Sequence, residues 1–210
     1  MTGCRHHSHG PTAEIRFVNT VPDADSIDVK VEDKSAFGNA AFGTVSEFLQ
    51  VSPGAYAVES SALSSTQKAI ELPPLRCTLD KDQRYTGIAL GSIAESPKAR
   101  LLIFPDDEAD DPIPIDQAKV RVIDAYPHAG KMDVLFNAID AFSGLTFGAR
   151  SKPIQVPAKS YICKAIQNEQ WDIPVEGPIP FDLKGGKSYQ LVILAPPNPK
   201  QPGILVLEDK

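Results

Sequence analysis

The feature that most constrains this chain is that it is written twice. The stretch Ala13 to Phe42, AEIRFVNTVPDADSIDVKVEDKSAFGNAAF, recurs from Ala118 to Phe147 as AKVRVIDAYPHAGKMDVLFNAIDAFSGLTF. At an offset of 105 residues, 14 of the 49 positions aligned from Ala13 are identical, among them Arg16 with Arg121 and Ser46 with Ser151. Farther on the offset shortens to 104, where Tyr189 answers Tyr85, and then to 103, where Ile204 to Leu207 answers Leu101 to Phe104. Drift of this kind is what a duplicated fold produces, because loops tolerate insertion and strands do not. Half of a 210-residue chain is within the usual size of a self-sufficient domain, so two domains are expected.

Each copy is patterned for strands. Ile15 and Phe17 face one way and Arg16 and Val18 the other. After the turn residues Val21 to Asp25, Ile27, Val29 and Val31 alternate with Asp28, Lys30 and Glu32. Further apolar groups follow at Phe48 to Val51, Tyr56 to Val58, Ala69 to Leu72, Leu75 to Leu79, Tyr85 to Leu90 and Arg100 to Phe104. Seven or eight short strands punctuated by turns in about 100 residues predict an antiparallel β-sandwich. The 19 prolines and 14 glycines agree, and no stretch offers an amphipathic helix.

Charge excludes one class of function. The chain carries a net charge of −6 with no basic stripe, so it lacks the electrostatic footprint of a nucleic-acid binder. No apolar run approaches the roughly 18 residues of a membrane span, and the folded part is expected to be soluble. All six charges of residues 106–117 are acidic, and with Pro112 and Pro114 that segment reads as a linker between a first repeat, 13–105, and a second, 118–210.

The repeated positions have scaffold readings. Pro22 and Pro127 fix φ in the loop between the first two strands, and Asp28 and Asp133 are expected to accept hydrogen bonds from that loop. Gly43 and Gly148 suit a bulge or tight turn. Tyr56 and Tyr161, each entering a strand from a turn, suit a tyrosine corner.

Ligand readings are fewer. Asp106, Asp107, Asp110 and Asp111 in the linker are hard oxygen ligands suited to calcium, although their spacing matches no defined calcium loop and a solvated spacer is the simpler reading. Trp171, the sole tryptophan, is a candidate glycan contact, against the alternative of a core residue. His6, His7 and His9 follow Cys4 without the geometry of a closed metal site. Cys77 and Cys163 fall at non-equivalent places and are expected as free buried thiols. The chain has no G-x-S-x-G, H-E-x-x-H, C-x-x-C or phosphate loop, and beyond the first 12 residues its one histidine is His128. Carboxylates such as Asp23 and Asp25 are the remaining acid–base candidates.

Residues 1–12, MTGCRHHSHGPT, read as a flexible leader. Met1-Thr2-Gly3-Cys4 resembles the end of a bacterial lipobox, in which the cysteine is lipidated after signal-peptide cleavage. The aligned segments IRFVNTVPDADSIDVKVEDK, AFGTVSEFLQVSPGAYAVE and LDKDQRYTGIALG resemble the bacterial envelope family known as domain of unknown function 4397. The second copy departs from its pattern at His128, Lys159 and Gln190. The resemblance implies tandem immunoglobulin-like β-sandwiches in secreted or surface-anchored proteins, and it implies no activity.

The expectation is therefore an all-β, non-catalytic structural or binding module, monomeric and without cofactors. It would be held outside the cytoplasm as a periplasmic or outer-membrane lipoprotein through Cys4, with a protein or glycan of the cell envelope as its partner. A polysaccharide-binding module and, behind it, an envelope hydrolase are the alternatives.

Overall fold

The computed structural model describes residues 12–32, 34–106, 112–167, 174–197 and 203–209, with the backbone alone for 174–177. These residues form strands, turns and loops and no helix. The first repeat contains β1 (Ala13–Asn19), β2 (Ser26–Val31), β3 (Lys34–Ala40), β4 (Leu49–Val51), β5 (Gly54–Leu63), β6 (Ala69–Glu71), β7 (Leu75–Leu79), β8 (Arg84–Leu90) and β9 (Arg100–Pro105). The second contains β10 (Gln117–Asp124), β11 (Met132–Phe136), β12 (Ile139–Leu145), β13 (Ile154–Pro157), β14 (Ser160–Gln167), β15 (Pro174–Asp182), β16 (Lys187–Ile193) and β17 (Ile204–Glu208).

Each repeat is a β-sandwich. In the first, one sheet runs β4-β1-β8-β9 and the other β3-β2-β5, with β6 and β7 both pairing β5. The second repeats this plan as β13-β10-β16-β17 against β12-β11-β14-β15. Ile15, Phe17, Ile27, Val29 and Tyr85 fill the first core, and Val120, Val122, Met132, Val134 and Tyr189 fill the second.

The sandwiches are not purely antiparallel. β1 pairs β8 in parallel, and β10 pairs β16 in the same way. The chain leaves β1, builds the opposite sheet, and returns along β8, a crossover long enough to bring two strands side by side in one direction.

Sheets built around such a pair are usually covered on both faces, and this holds here. Only the outer strands alternate cleanly, as β5 does; β8 and β10 are buried at nearly every residue. Their second faces meet each other. Val18, Ile88 and Leu90 of the first repeat pack against Ile123, Ala125, Val192, Leu194 and Leu207 of the second as a third apolar cluster, between the sandwiches. The protein is thus four sheets deep, with this apolar cluster as the seam at its middle.

The segment expected to be a free linker is docked at its C-terminal end. Gly186 N–H donates to the carbonyls of Pro114 and Gln117, and Ala158 N–H to that of Asp116. A Cβ on Gly185 would lie 1.6 Å from the Ile115 carbonyl oxygen, so glycine is what allows the connector to lie so close.

Candidate functional site

Polar side chains buried at the rim of the seam form the most unusual chemistry in the described structure. β1 alternates, so Arg16 points away from the core that Ile15 and Phe17 fill and into the seam. There Arg16 Nη2 donates to Asp209 Oδ1 at 2.6 Å, Nε to Thr86 Oγ1 at 2.9 Å and Nη1 to the Glu208 carbonyl at 3.0 Å. Asp106 Oδ2 stands 3.5 Å from the same guanidinium. Thr86 donates to Asp106 Oδ1 at 2.6 Å, and the Gln190 amide donates to Asp106 Oδ1 at 2.9 Å and Asp209 Oδ1 at 3.0 Å. Arg121 is buried beside them, and its charge acts on both carboxylates.

The network is the sequence repeat made three-dimensional. Arg16 and Arg121 are equivalent at offset 105, Thr86 and Gln190 at 104, and Asp106 and Asp209 at 103. Each repeat therefore sends an arginine, a polar side chain and an aspartate into one cluster. The equivalence breaks at several places: among the described residues Arg121 lacks partners at Nε and Nη1 where Arg16 has them, and Gln190 reaches both aspartates where Thr86 reaches one. Arg16 binds the Glu208 carbonyl, whereas the equivalent Pro105 carbonyl is taken by Arg150, which stands where the first repeat has Val45.

Burial dominates the electrostatics here. It raises Asp209 to about 7, with the Asp106 charge pushing the same way and Gln190, Arg16 and Arg121 opposing. Burial also raises Asp106, against Arg16, Thr86, Gln190 and Arg121. A cleft of about 460 Å³ opens beside the cluster, lined by Thr12, Glu14, Asp82, Gln83, Arg84, Asp106 and Asp209. Arg84 bridges it, holding Glu14 at 2.5 Å and the Asp209 carbonyl at 2.8 Å, and both Arg84 and Arg16 lie over the Phe48 ring. Arg84 and Arg16 are thus engaged by protein groups.

The residues singled out in the sequence fall into three groups. Asp106 is a correction: it is 1% exposed and engaged by Thr86, Gln190 and Arg16 inside the seam, so it is not a solvated linker carboxylate reaching for a cation. Asp107, Asp110, Asp111, Trp171 and Cys4 lie outside the described residues. Among the described residues no cluster of His, Cys, Asp and Glu is arranged to hold a metal ion.

The repeated scaffold positions are where the structure is most literal. Tyr56 donates to the Ser52 carbonyl at 2.6 Å and Tyr161 to the Pro157 carbonyl at 3.0 Å. Pro22 and Pro127 sit in the turns after β1 and β10, and Gly43 and Gly148 take φ of +78° and +80°. Asp28 and Asp133 bond a different loop from the one expected: each accepts at 2.7 Å from a backbone N–H of the neighbouring strand, Asn39 and Gly144. Both donors have positive φ and lie where the ladder slips register, so the carboxylates serve the bulges of β3 and β12.

The acid–base candidates are likewise occupied. Asp23 accepts from Ser92 Oγ, Ile93 N–H and Ala94 N–H, which together outweigh its burial and hold its carboxyl below the usual range. Asp25 accepts from Gln67, and His128 lies 3.9 Å from Glu95 of the other repeat, both exposed. Cys77 and Cys163 are free thiols; burial raises both, Cys163 to about 12.

Comparison with known proteins adds a family. The family described as "Domain of unknown function (DUF4397)" matches residues 13–124 and 118–210. No curated protein matches the chain in sequence. Solved structures that align with it include the crystal structure of CBMbc, a family CBM26 module from Eubacterium rectale Amy13K in complex with maltoheptaose. That alignment has 9% identity and a TM-score of 0.26, and covers 95% of this chain and 97% of the other. At that score the likeness bears no weight for fold or function.

Proposed function

The chain belongs to the DUF4397 family, and from that premise we propose that it is a non-catalytic structural or binding module of the cell envelope. One observation carries the reading: two of the charged pairs that the repeats share, Arg16 with Arg121 and Asp106 with Asp209, are buried inside the molecule. Arg16 of the first repeat binds Asp209 of the second inside the seam, with Asp106 and Arg121 buried beside them, leaving the two outer sheets turned away from the seam as presenting surfaces. A shared catalytic site would have kept such residues open to substrate, with a base within reach of a nucleophile.

The outer surface of the second sandwich is where the copies part. Ile162 on β14 and Ile139 at the start of β12 are 52% and 72% exposed, whereas the equivalent first-repeat residues are Ala57 and Lys34. We assign envelope attachment to Cys4 and contact with a protein or glycan to the surfaces remote from the seam.

Two measurements test this. Metabolic labelling with a fatty-acid analogue in the native host should mark the chain and not a Cys4→Ser variant; an unlabelled wild type would end the lipoprotein reading. Incubation of the full chain with purified envelope polysaccharide and peptidoglycan should give at most retention, without released fragments. Soluble products that scale with protein concentration would replace the module with a hydrolase.

A further inference from the structure

The two repeats close the ends of β1 and β10 with the same set of hydrogen bonds, one residue at a time, except for one. Asn19 N–H donates to the Thr44 carbonyl at 3.1 Å, as Asp124 N–H does to the Ala149 carbonyl at 3.0 Å. The Asn19 carbonyl accepts from Gly43 at 2.8 Å, as that of Asp124 does from Gly148 at 2.7 Å. Oδ1 of each side chain accepts from the backbone N–H two residues on, Val21 or Tyr126, at 2.9 Å. All of these pairs are related by the offset of 105 residues.

The last bond differs in chemistry. Asn19 Nδ2 donates at 2.8 Å to the carbonyl of Ala40, whose equivalent is Leu145. Asp124 has an oxygen, Oδ2, where Asn19 has that nitrogen, and Oδ2 is buried with no hydrogen-bond donor. Both side chains are 0% exposed. A carboxylate there would bury negative charge on Oδ2 without a donor, whereas a proton on Oδ2 would let it donate as the Asn19 amide does.

We propose that Asp124 is a neutral carboxylic acid in the folded protein below neutral pH, donating its proton to the Leu145 carbonyl as Asn19 donates to Ala40. The second sandwich then carries a pH-sensitive latch that the first, with an amide in that place, lacks.

The surroundings agree. Burial raises the Asp124 carboxyl to about 7, opposed only by the Tyr126 N–H. The charged groups of the neighbouring elements are committed elsewhere. On β10 itself, Arg121 lies three residues away on the opposite, seam-facing side of the strand, where its charge acts on Asp106 and Asp209. Arg150, whose backbone bridges Ile123, reaches the Pro105 carbonyl and the Phe104 ring. On β11, Asp133 binds Gly144; in the turn after β10, His128 lies by Glu95.

The latch has a reach beyond its own bond. It joins the end of the seam sheet to the end of β12, and the loop that follows carries Phe147 under Arg100 of the first repeat. Losing the proton loosens the loop that helps close the seam.

The sign follows from linkage. A carboxyl whose folded value is raised from 3.8 to about 7 binds more protons folded than unfolded across that window. Stability therefore falls as pH rises from about 4 to about 7, by up to tenfold in the folding constant per pH unit, and levels off above. The test is a carbon-detected NMR titration of side-chain carboxyls on the full chain, with urea unfolding of wild type and Asp124→Asn from pH 4 to pH 9. We expect a carboxyl signal with a midpoint near 7 that vanishes in the variant, and a stability advantage of the variant that grows to about pH 7 and then holds. Asn19→Asp should install a second such carboxyl in the first repeat. An Asp124 signal titrating near pH 4 overturns the proposal, and so does a wild-type-to-variant gap equal at pH 5 and pH 8. Should Asp124→Asn fail to fold, the wild-type titration, assigned by residue-specific labelling, decides alone.

Discussion

Replacing Arg16 by methionine keeps much of the side chain's apolar bulk in the seam and removes its charge. The arginine gives up bonds of 2.6 Å to Asp209, 2.9 Å to Thr86 and 3.0 Å to the Glu208 carbonyl, and Asp106 loses a cation at 3.5 Å. The side chains of Arg16, Asp106 and Asp209 are 6%, 1% and 1% exposed, so water does not step in. Breaking a buried ion pair from one side costs about 3–5 kcal/mol, because the partner's charge is left in a poor solvent. That is a large part of the roughly 5–15 kcal/mol that holds a typical domain folded. The cost must also depend on pH. Burial pushes Asp209 up to about 7 against the lowering pull of Arg16, and without that cation it rises further. Below that pH Asp209 is neutral in both proteins; above it only the wild type pairs an ionised Asp209 with Arg16. The gap therefore widens from pH 7 upward by about 1.4 kcal/mol per unit for each carboxyl affected, until the variant's own carboxyl ionises. Urea unfolding of the full chain at pH 5.5 and pH 8.5 reads both quantities. A cost below about 1 kcal/mol at pH 8.5, or a gap that grows on acidification, would refute the account of the seam.

Other perturbations test other parts. Gly185→Ala drives a methyl into the Ile115 carbonyl at 1.6 Å and should cost about 3 kcal/mol by thermal unfolding, whereas Gly43→Ala has open space and meets only the strain of φ +78°, about 1 kcal/mol. The reverse order would mean that the connector does not dock as described. Asp133→Ala removes a buried carboxylate that accepts from the Gly144 N–H, so it should cost about 2 kcal/mol, more than Asp28→Ala, whose carboxylate is exposed. Equal losses in urea would count against that reading. Cys163, with its thiol raised to about 12, should alkylate only in denaturant and Cys77 ahead of it; mass spectrometry finding the two joined would contradict the free thiols.

The sandwiches were legible because their signals are local. Alternation in β2 and the turn residues after β1 name strand and turn without reference to anything distant, and the repeat fixes the count of units. The seam was not legible by those means. Arg16 beside Val18 on the second face of β1 looks like a strand's solvent side, and only the other repeat decides otherwise. A signal was nevertheless present: Ile88 to Leu90 and Leu191 to Leu194 are continuous apolar runs, which a half-exposed strand would interrupt. The 103-residue offset, carried two residues past Leu207, pairs Asp209 with Asp106 and takes Asp106 out of the linker. Asp124 could be read as a departure from Asn19, but its meaning needed the Ala40 carbonyl, 21 residues from Asn19 in sequence.

The near-symmetry of the seam also says what fusing the two copies made possible. A dimer of identical chains must set every residue near its axis against itself, so any change arrives twice and two like charges meet where one was introduced. Joined in a single chain, the halves are free of that rule. Arg150 could take the Pro105 carbonyl while Val45 stayed apolar, and Gln190 could span both aspartates while Thr86 kept to one. The seam is an interface that has been allowed to have a left and a right.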